Sequence, residues 1–392
     1  MSRRAIALIC FLAIAVLADS GTARAGDSGG ITVLSATVAD QRLEGAAILV
    51  QRAGRPTRSA ITDARGHVAL DTEALREPAT RLSIRKDGYA ELLARCPCDG
   101  LNYALSPAMQ SLDGLRVVLD WGVAPTGLDL DSHLSYPGNH VYFERKNGDD
   151  ASLDLDDTDH HGPETITVQR KRAGAVYTYA VHDFGNRQNP AADALANSQA
   201  RVYVYVGQTL VRTYSVPRQP GNLWTVLRID GEDRFEDINR ISASSAAAEG
   251  IGEEIAQAPG GVDNGGAEDS EDAAQANERG ETAYRAGDLS GAIAAYQQAI
   301  ELDPGHALAY SNLGLAYVKQ GRAAEAIWAS RKAIALAKGA NAASIRANAY
   351  YNIGKLYERD GQYERAMSNY LSAKREKPDK TYDEALERVS AY

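Results

Sequence analysis

Along the first 240 or so residues, apolar and polar positions alternate in short runs broken by Gly, Pro, Asn and Asp, the period-two pattern of half-buried strands. The runs Gly45–Val50, His67–Leu70, Arg81–Arg85, Leu115–Trp121, His140–Glu144, Thr165–Gln169, Val176–His182, Arg201–Val206, Leu210–Val216 and Trp224–Ile229 predict an all-β region packed as sandwiches. Beyond residue 272 the pattern becomes helical and repeats. Gly280, Gly314 and Gly354 align, as do Gly287, Gly321 and Gly361, then Ala292, Ala326 and Ala366, then Ala299, Ala333 and Ala373; the first two blocks lie 34 residues apart. Small residues at those positions let paired helices approach closely, and Pro304 and Pro378 stop the second helix of a pair. Between the two regions, Ser242 to Asp272 has no Lys or Arg and is rich in Gly, Ala, Ser and acids, which predicts a flexible acidic linker. The expected fold class is multidomain: N-terminal all-β sandwiches, a disordered linker and a C-terminal all-α solenoid.

The repeat resembles the tetratricopeptide repeat, a helix-turn-helix unit of that period. The resemblance implies three repeats over 273–392, with a final helix from Thr381 that caps the stack through Tyr382, Leu386 and Val389. Lys338 stands where the pattern has proline, and six extra residues before the third block are expected to extend the second helix of its repeat or the following loop. Family logic places the concave surface on the first helix of each repeat. The peptide-groove residues here are Asn277, Glu281, Tyr284, Ser311, Asn312, Leu315, Lys319, Tyr351, Asn352, Lys355 and Arg359. Asn312 and Asn352 are equivalent and suited to hydrogen-bond an extended backbone. Glu281 stands where chaperone-binding members grip a carboxylate, so that basic clamp is not reproduced.

The β region divides near 107. Residues 26–107, with Gly45-Ala46-Ala47-Ile48-Leu49-Val50, Thr62-Asp63-Ala64-Arg65-Gly66 and Lys86-Asp87-Gly88-Tyr89, resemble the carboxypeptidase-regulatory-like sandwich. Residues 108–241, with Leu128-Asp129-Leu130-Asp131-Ser132-His133-Leu134, Asp156-Asp157-Thr158-Asp159 and Gly162-Pro163-Glu164-Thr165, are similar to the YfaP-like secreted family, which implies architecture without an activity.

Arg3 and Arg4 precede an apolar run from Ala5 to Leu17 and the small-x-small site Ala23-Arg24-Ala25, which predicts a signal peptide over 1–25 and export to the periplasm or medium. The run is too short for a transmembrane anchor. A net charge of −10 without a basic cluster argues against nucleic acid as a partner. Cys10 belongs to the signal segment; Cys96 and Cys98 are left to form a short disulfide, to pair with another molecule or to stay free.

Strand alternation places Asp129, Asp131 and His133 on one face and Leu128, Leu130 and Leu134 on the other. A hairpin around Asn147-Gly148, with Phe143 opposite Leu153 and Val141 opposite Leu155, would add His140 beside Asp156. Clustered carboxylates need a cation, and oxygen-only ligands suit calcium. The candidate Ca2+ ligands are Asp129, Asp131, Asp156, Asp157, Asp159 and Glu164; the alternative is solvated turns and strand faces, because no EF-hand loop is matched. Zinc through His133, His140, His160 and His161 lacks the HExxH and paired-cysteine patterns. No nucleophile elbow or phosphate loop occurs, so no catalytic residue is assigned. Tyr203 and Tyr205 suit either sugar contact or sheet packing. The leading function is an exported adaptor that binds a protein or peptide and is not an enzyme; the alternatives are a glycan-binding envelope module and a metal-dependent hydrolase.

Overall fold

The computed structural model describes residues 29–52, 54–121, 128–156, 162–232, 234–260 and 271–392. The expected signal peptide with Cys10, the ligand candidates Asp157, Asp159, His160 and His161, and the Gly-rich centre of the expected linker lie outside these residues.

The first unit contains β1 (Gly30–Ser35), β2 (Ala47–Gln51), β3 (Arg58–Ile61), β4 (His67–Ala69), helix α1 (Thr72–Arg76), β5 (Arg81–Arg85), β6 (Leu92–Arg95) and β7 (Asn102–Leu105). They form a three-stranded sheet, β4-β1-β7, and a four-stranded sheet, β3-β2-β5-β6. Alternate residues such as Val33, Ile48, Ile84, Leu92 and Tyr103 fill the space between the sheets. Each aliphatic side chain buried in this way stabilises the fold by about 1.5–3 kcal/mol. Asp71 caps α1 by accepting the Glu73 N–H, and Cys96 and Cys98 are joined as a buried disulfide at the edge of this core.

The second unit contains β8 (Leu115–Asp120), β9 (Leu130–Tyr136), β10 (Asn139–Val141), β11 (Asn147–Gly148), β12 (Ala151–Leu155), β13 (Glu164–Val168), β14 (Tyr177–Asp183), helix α2 (Ala194–Asn197), β15 (Arg201–Val206), β16 (Thr209–Ser215), β17 (Leu223–Ile229) and β18 (Phe235–Ser242). Its five-stranded sheet, β10-β9-β14-β17-β18, faces a six-stranded sheet, β11-β12-β13-β8-β15-β16. β8 is buried along its whole length because both of its faces are covered. Leu115, Val117 and Leu119 join the core between these two sheets, while Val118 packs into the core of the first unit. Tyr203 and Tyr205 share that covered face and are 1% and 0% exposed, so they pack sheet to unit and do not present a sugar-contacting stripe.

The hairpin differs from its expected register. Asn147 pairs with Ser152 and Gly148 with Ala151, so Asp149 and Asp150 form the turn, with Asp150 at φ 58°. Aspartate tolerates this left-handed conformation, which moves the turn off Asn147-Gly148. Val141 pairs with Leu134 of β9, not with Leu155.

Part of the expected linker is ordered. Helix α3 (Ala248–Ala256) lies against β9 and β14, and Ile251 and Ile255, one helical turn apart, are completely buried with Ala180 and Leu223. That contact supplies the apolar burial which the segment's overall composition argues against.

The C-terminal part is a run of helices: α4 (Glu271–Arg285), α5 (Leu289–Leu302), α6 (Ala307–Gln320), α7 (Ala323–Leu336), α8 (Ala342–Arg359), α9 (Tyr363–Glu376) and α10 (Lys380–Val389). Close approach explains the repeated glycines. A Cβ at Gly280 or Gly354 would come within 2.5 Å of the ring of Tyr296 or Tyr370 on the paired helix. The insertion in the third repeat lengthens its first helix: α8 has 18 residues where α6 has 14, whereas α7 has the same 14 as α5. α10 covers the last pair through Tyr382, Ala385 and Val389.

The helical run is docked on the second β unit. Asp113, 3% exposed, accepts from the Tyr357 hydroxyl and pairs with Arg365, and Arg331 stands 3.8 Å away. Glu325, equally buried, accepts the Gln208 N–H at 3.1 Å and the Arg322 Nε–H at 3.1 Å. Trp328 packs against both cores. No helix among the described residues is long and apolar enough to cross a membrane.

Candidate binding groove and buried ligand cluster

Two places combine shape with chemistry. The first is a cavity of about 870 Å³ between α6 and α8, walled on its third side by the loop Lys338–Asn341. The loop and the longer α8 contribute Lys338–Asn341, Ser344, Ile345 and Asn348 to the lining, so the insertion supplies one wall of the cavity. Its lining is mostly apolar or neutral polar: Leu308, Ser311, Asn312, Leu315, Tyr351 and Asn352 contribute, with Lys338 and His306 at the wall. Leu308 and Leu315 are 40% and 36% exposed and present apolar surface to the cavity. The docking contacts of Glu325, Trp328, Tyr357 and Arg365 lie elsewhere on the array and leave this face open.

The two equivalent asparagines behave differently. Asn312 Nδ2 donates to Asn277 Oδ1 at 3.0 Å and to Glu281 Oε1 at 3.3 Å, so it ties the second repeat to the first. Asn352 makes no side-chain hydrogen bond among the described residues and lines the cavity half-buried. An amide there carries an N–H donor and a carbonyl acceptor with which to pair one peptide unit.

The second place lies in the β region, where β9, β13 and β14 meet. β10 is only three residues long, so beyond Leu134 one edge of β9 lacks a strand partner. Glu164 at the start of β13 fills that gap: its Oε2 accepts the Ser132 N–H at 2.7 Å. On the other edge, β14 sets His182 opposite Asp131 and Ala180 opposite His133. The result is two overlapping groups, Asp131 with His133 and His182, and Asp131 with Asp156 and Glu164, each with ligand atoms within 4.8 Å of one another. Asp131, His133, Glu164 and His182 are 6%, 0%, 0% and 0% exposed. Asp131 Oδ2, Glu164 Oε1, His133 Nε2 and both ring nitrogens of His182 have no hydrogen-bond partner, an expensive state for buried polar atoms.

Burial dominates the electrostatics. It pushes Asp131 up to about 8, with Asp129, Asp156 and Asp183 adding repulsion, and it raises Glu164 well above the usual carboxylate range with Asp131 next in effect. It also lowers His133 well below its ordinary value and brings His140 and His182 down to about 4, so all three imidazoles are neutral at pH 7.

Residues 280–321 match the family model described as TPR repeat, and residues 307–339 and 347–380 match the one described as Tetratricopeptide repeat. The helical run is made of tetratricopeptide repeats. Among solved structures, the Arabidopsis OM64 TPR domain is 23% identical with a TM-score of 0.29, covering 32% of this chain and 99% of its own. The first TPR of Spaghetti (RPAP3), bound to the HSP90 peptide SRMEEVD, is also 23% identical at 0.29, covering 31% and 94%. The N-terminal domain of stress-induced protein-1 (STI-1) from C. elegans gives 23% and 0.29, covering 30% and 94%. No curated protein matches the chain.

Of the groove residues expected from the sequence, the tetratricopeptide cavity gathers Ser311, Asn312, Leu315, Tyr351 and Asn352. Asn277 is 4% exposed and bonded to Glu281 and Asn312, so it is a joint between repeats and not a groove contact. Glu281 is further held by Arg285 at 2.9 Å. Lys319 lies over the Tyr284 ring and Lys355 over the Tyr351 ring, and Arg359 is exposed at the end of α8. The lining residues Leu308 and Lys338 were not anticipated, although the insertion after Leu336 marks the place. Of the acids singled out in the sequence, Asp131, Asp156 and Glu164 lie close together in the β region, whereas Asp129 is in neither group. His182 was missed; the signal available was its place at the end of the strand run Val176–His182.

Proposed function

We propose that the protein is an exported adaptor that holds an extended segment of a partner protein in the tetratricopeptide groove while its β units serve as a rigid base. The observation that carries this reading is the mostly uncharged cavity between α6 and α8, with exposed Leu308 and Leu315 for apolar side chains and a free Asn352 amide for the peptide backbone. Its lining offers no pair of cations for a terminal carboxylate, so the bound segment is internal to its partner, or its end lies outside the groove. Export rests on the residue pattern of 1–25, and the likeness of the β region to carboxypeptidase-regulatory-like and YfaP-like domains fits a protein of the cell envelope.

Docking changes how such an adaptor works. Asp113 and Glu325 fix the array on the β region, so the groove is presented at a set orientation and is not carried on a long tether. The test is site-specific photo-crosslinking in cells that produce the full chain. A crosslinker in place of Leu315 should capture a discrete partner, and one in place of exposed Arg240 on β18 should not. Equal capture from both positions, or none from Leu315, would contradict the proposal.

A further inference from the structure

We propose that the second β unit holds one late first-row divalent metal ion, of the Zn2+ or Fe2+ class, ligated by Asp131, His133 and His182. This inference is independent of the peptide-groove reading and concerns a different part of the molecule.

Geometry comes first. The three residues come from facing positions on two paired strands: His182 is opposite Asp131, and His133 lies two residues further along β9 on the same face. Their ligand atoms lie within 4.8 Å of one another, and an ion with ligands at about 2.0–2.2 Å holds any two of them at most about 4.4 Å apart, so binding draws the three side chains slightly closer. Four of the polar atoms that meet here, on Asp131, His133 and His182, are buried without a hydrogen-bond partner. Native interiors rarely leave so many polar atoms unpaired, and a cation here takes a lone pair from each of the three residues, one of the two His182 ring nitrogens included.

Imidazole orientation is the second, separate observation. His133 Nδ1 is 2.9 Å from His140 Nε2, so one of these nitrogens donates and the other accepts, and α3 packs against the His140 ring. When His133 Nδ1 donates to His140, its lone pair stands on Nε2, the atom without a partner at the cluster. This is the arrangement by which metal-ligating histidines are held in one tautomer. α3 reaches the His140 ring because residue 252 is glycine: a Cβ there would lie 2.5 Å from His140 Cγ.

Ligand chemistry then selects the ion. Two neutral imidazoles with a carboxylate suit zinc, iron, cobalt and nickel, whereas calcium takes six to eight oxygens and magnesium prefers oxygen and water. Inclusion of His133 and His182 thus shifts the assignment away from the calcium site expected from the acids alone. Glu164 and Asp156 flank the same Asp131 carboxylate, and Lys146 already neutralises Asp156 at 2.7 Å. The leftover oxygen of Glu164, Oε1, is therefore placed to accept a hydrogen bond from water on the ion or to become a further ligand.

The test uses the full chain stripped with chelator and titrated with Co2+ as an optical probe. The expected result is one Co2+ per chain with visible d–d absorption, displaced by equimolar Zn2+ and unaffected by millimolar Ca2+. His182→Gln should weaken Co2+ binding by more than about 100-fold, and the positioning variant His140→Asn by about 10- to 100-fold, the range for partners that orient ligands. Circular dichroism reports whether each variant is folded. If His182→Gln is unfolded, X-ray absorption on the Zn2+-loaded wild-type protein counts the imidazoles directly, with two expected. No Co2+ binding below millimolar, displacement by Ca2+, unchanged affinity in folded His182→Gln, or an imidazole count other than two would each overturn the proposal.

Discussion

Replacing Asp113 by Ala should loosen the helical array from the β region without unfolding either. Asp113 accepts from the Tyr357 hydroxyl and pairs with Arg365, and its side chain is 4% exposed. Removing one partner of a buried ion pair costs about 3–5 kcal/mol because the other is left uncompensated. Two features reduce that figure. Arg365 and Arg331 are 27% and 17% exposed and so regain some hydration, and Arg365 keeps the Lys171 carbonyl at 3.3 Å. About 2 kcal/mol is then the expected loss, which raises the undocked population about 30-fold. The second anchor, Glu325 with Gln208 and Arg322, keeps the equilibrium on the docked side. Hydrogen exchange read by mass spectrometry is the assay: amides in 110–116 and 322–331 should exchange faster by about that factor, while those of β9 and β14 remain unchanged. Unaltered exchange in both junction segments would refute the docking energetics.

Three further outcomes follow from particular contacts. Gly354→Val puts a branched side chain where even a Cβ lies 2.5 Å from the Tyr370 ring; the expected cost is about 1–3 kcal/mol, and a urea midpoint for the helical signal equal to wild type would contradict the close packing. Gly252→Ala should displace α3 from His140, which protease cleavage between Ala248 and Ala256 would reveal; wild-type resistance there counts against the docked helix. Asp120 is pushed up to about 8 by burial, against the pull of Arg201. The protonated form is thus favoured by folding, so its stabilising share is full below the unfolded carboxylate value of about 4 and is lost as pH rises through about 8, by at most about 1.4 kcal/mol per pH unit. Asp120→Asn should abolish that slope, so that its melting temperature gains on wild type from pH 4 to pH 8; parallel curves would show that Asp120 does not titrate there.

How far the sequence reaches can be read from particular residues. Gly280, Gly314 and Gly354 announce paired helices because their constraint is local: each sits against the helix that follows it in the chain. Strand runs such as Leu115–Trp121 are equally local. What escapes is whatever depends on pairing between distant segments. His182 meets Asp131 only through the register of β14 on β9, and nothing near either residue encodes that register. Asn277 reads as a surface amide until the neighbouring repeat brings Asn312 onto it. The helix within Ser242–Asp272 was hidden because acids and glycines outweigh Ile251 and Ile255, the two residues that dock it. Asp113 and Glu325 look like ordinary surface acids, and their burial appears only when the two regions meet.

The central claim, that the face between α6 and α8 holds an extended polypeptide, is tested most directly by affinity at that face. The segment captured by the Leu315 crosslinker, made as a synthetic peptide, should bind the full chain with 1:1 stoichiometry in a calorimetric titration. Asn352→Ala, which removes one free amide from the cavity and leaves the joint between repeats intact, should weaken binding by about tenfold, the loss of one well-made hydrogen bond of about 1–1.5 kcal/mol, with an unchanged melting temperature. Identical affinity in wild type and Asn352→Ala, together with identical affinity in Leu315→Asp, would contradict the account.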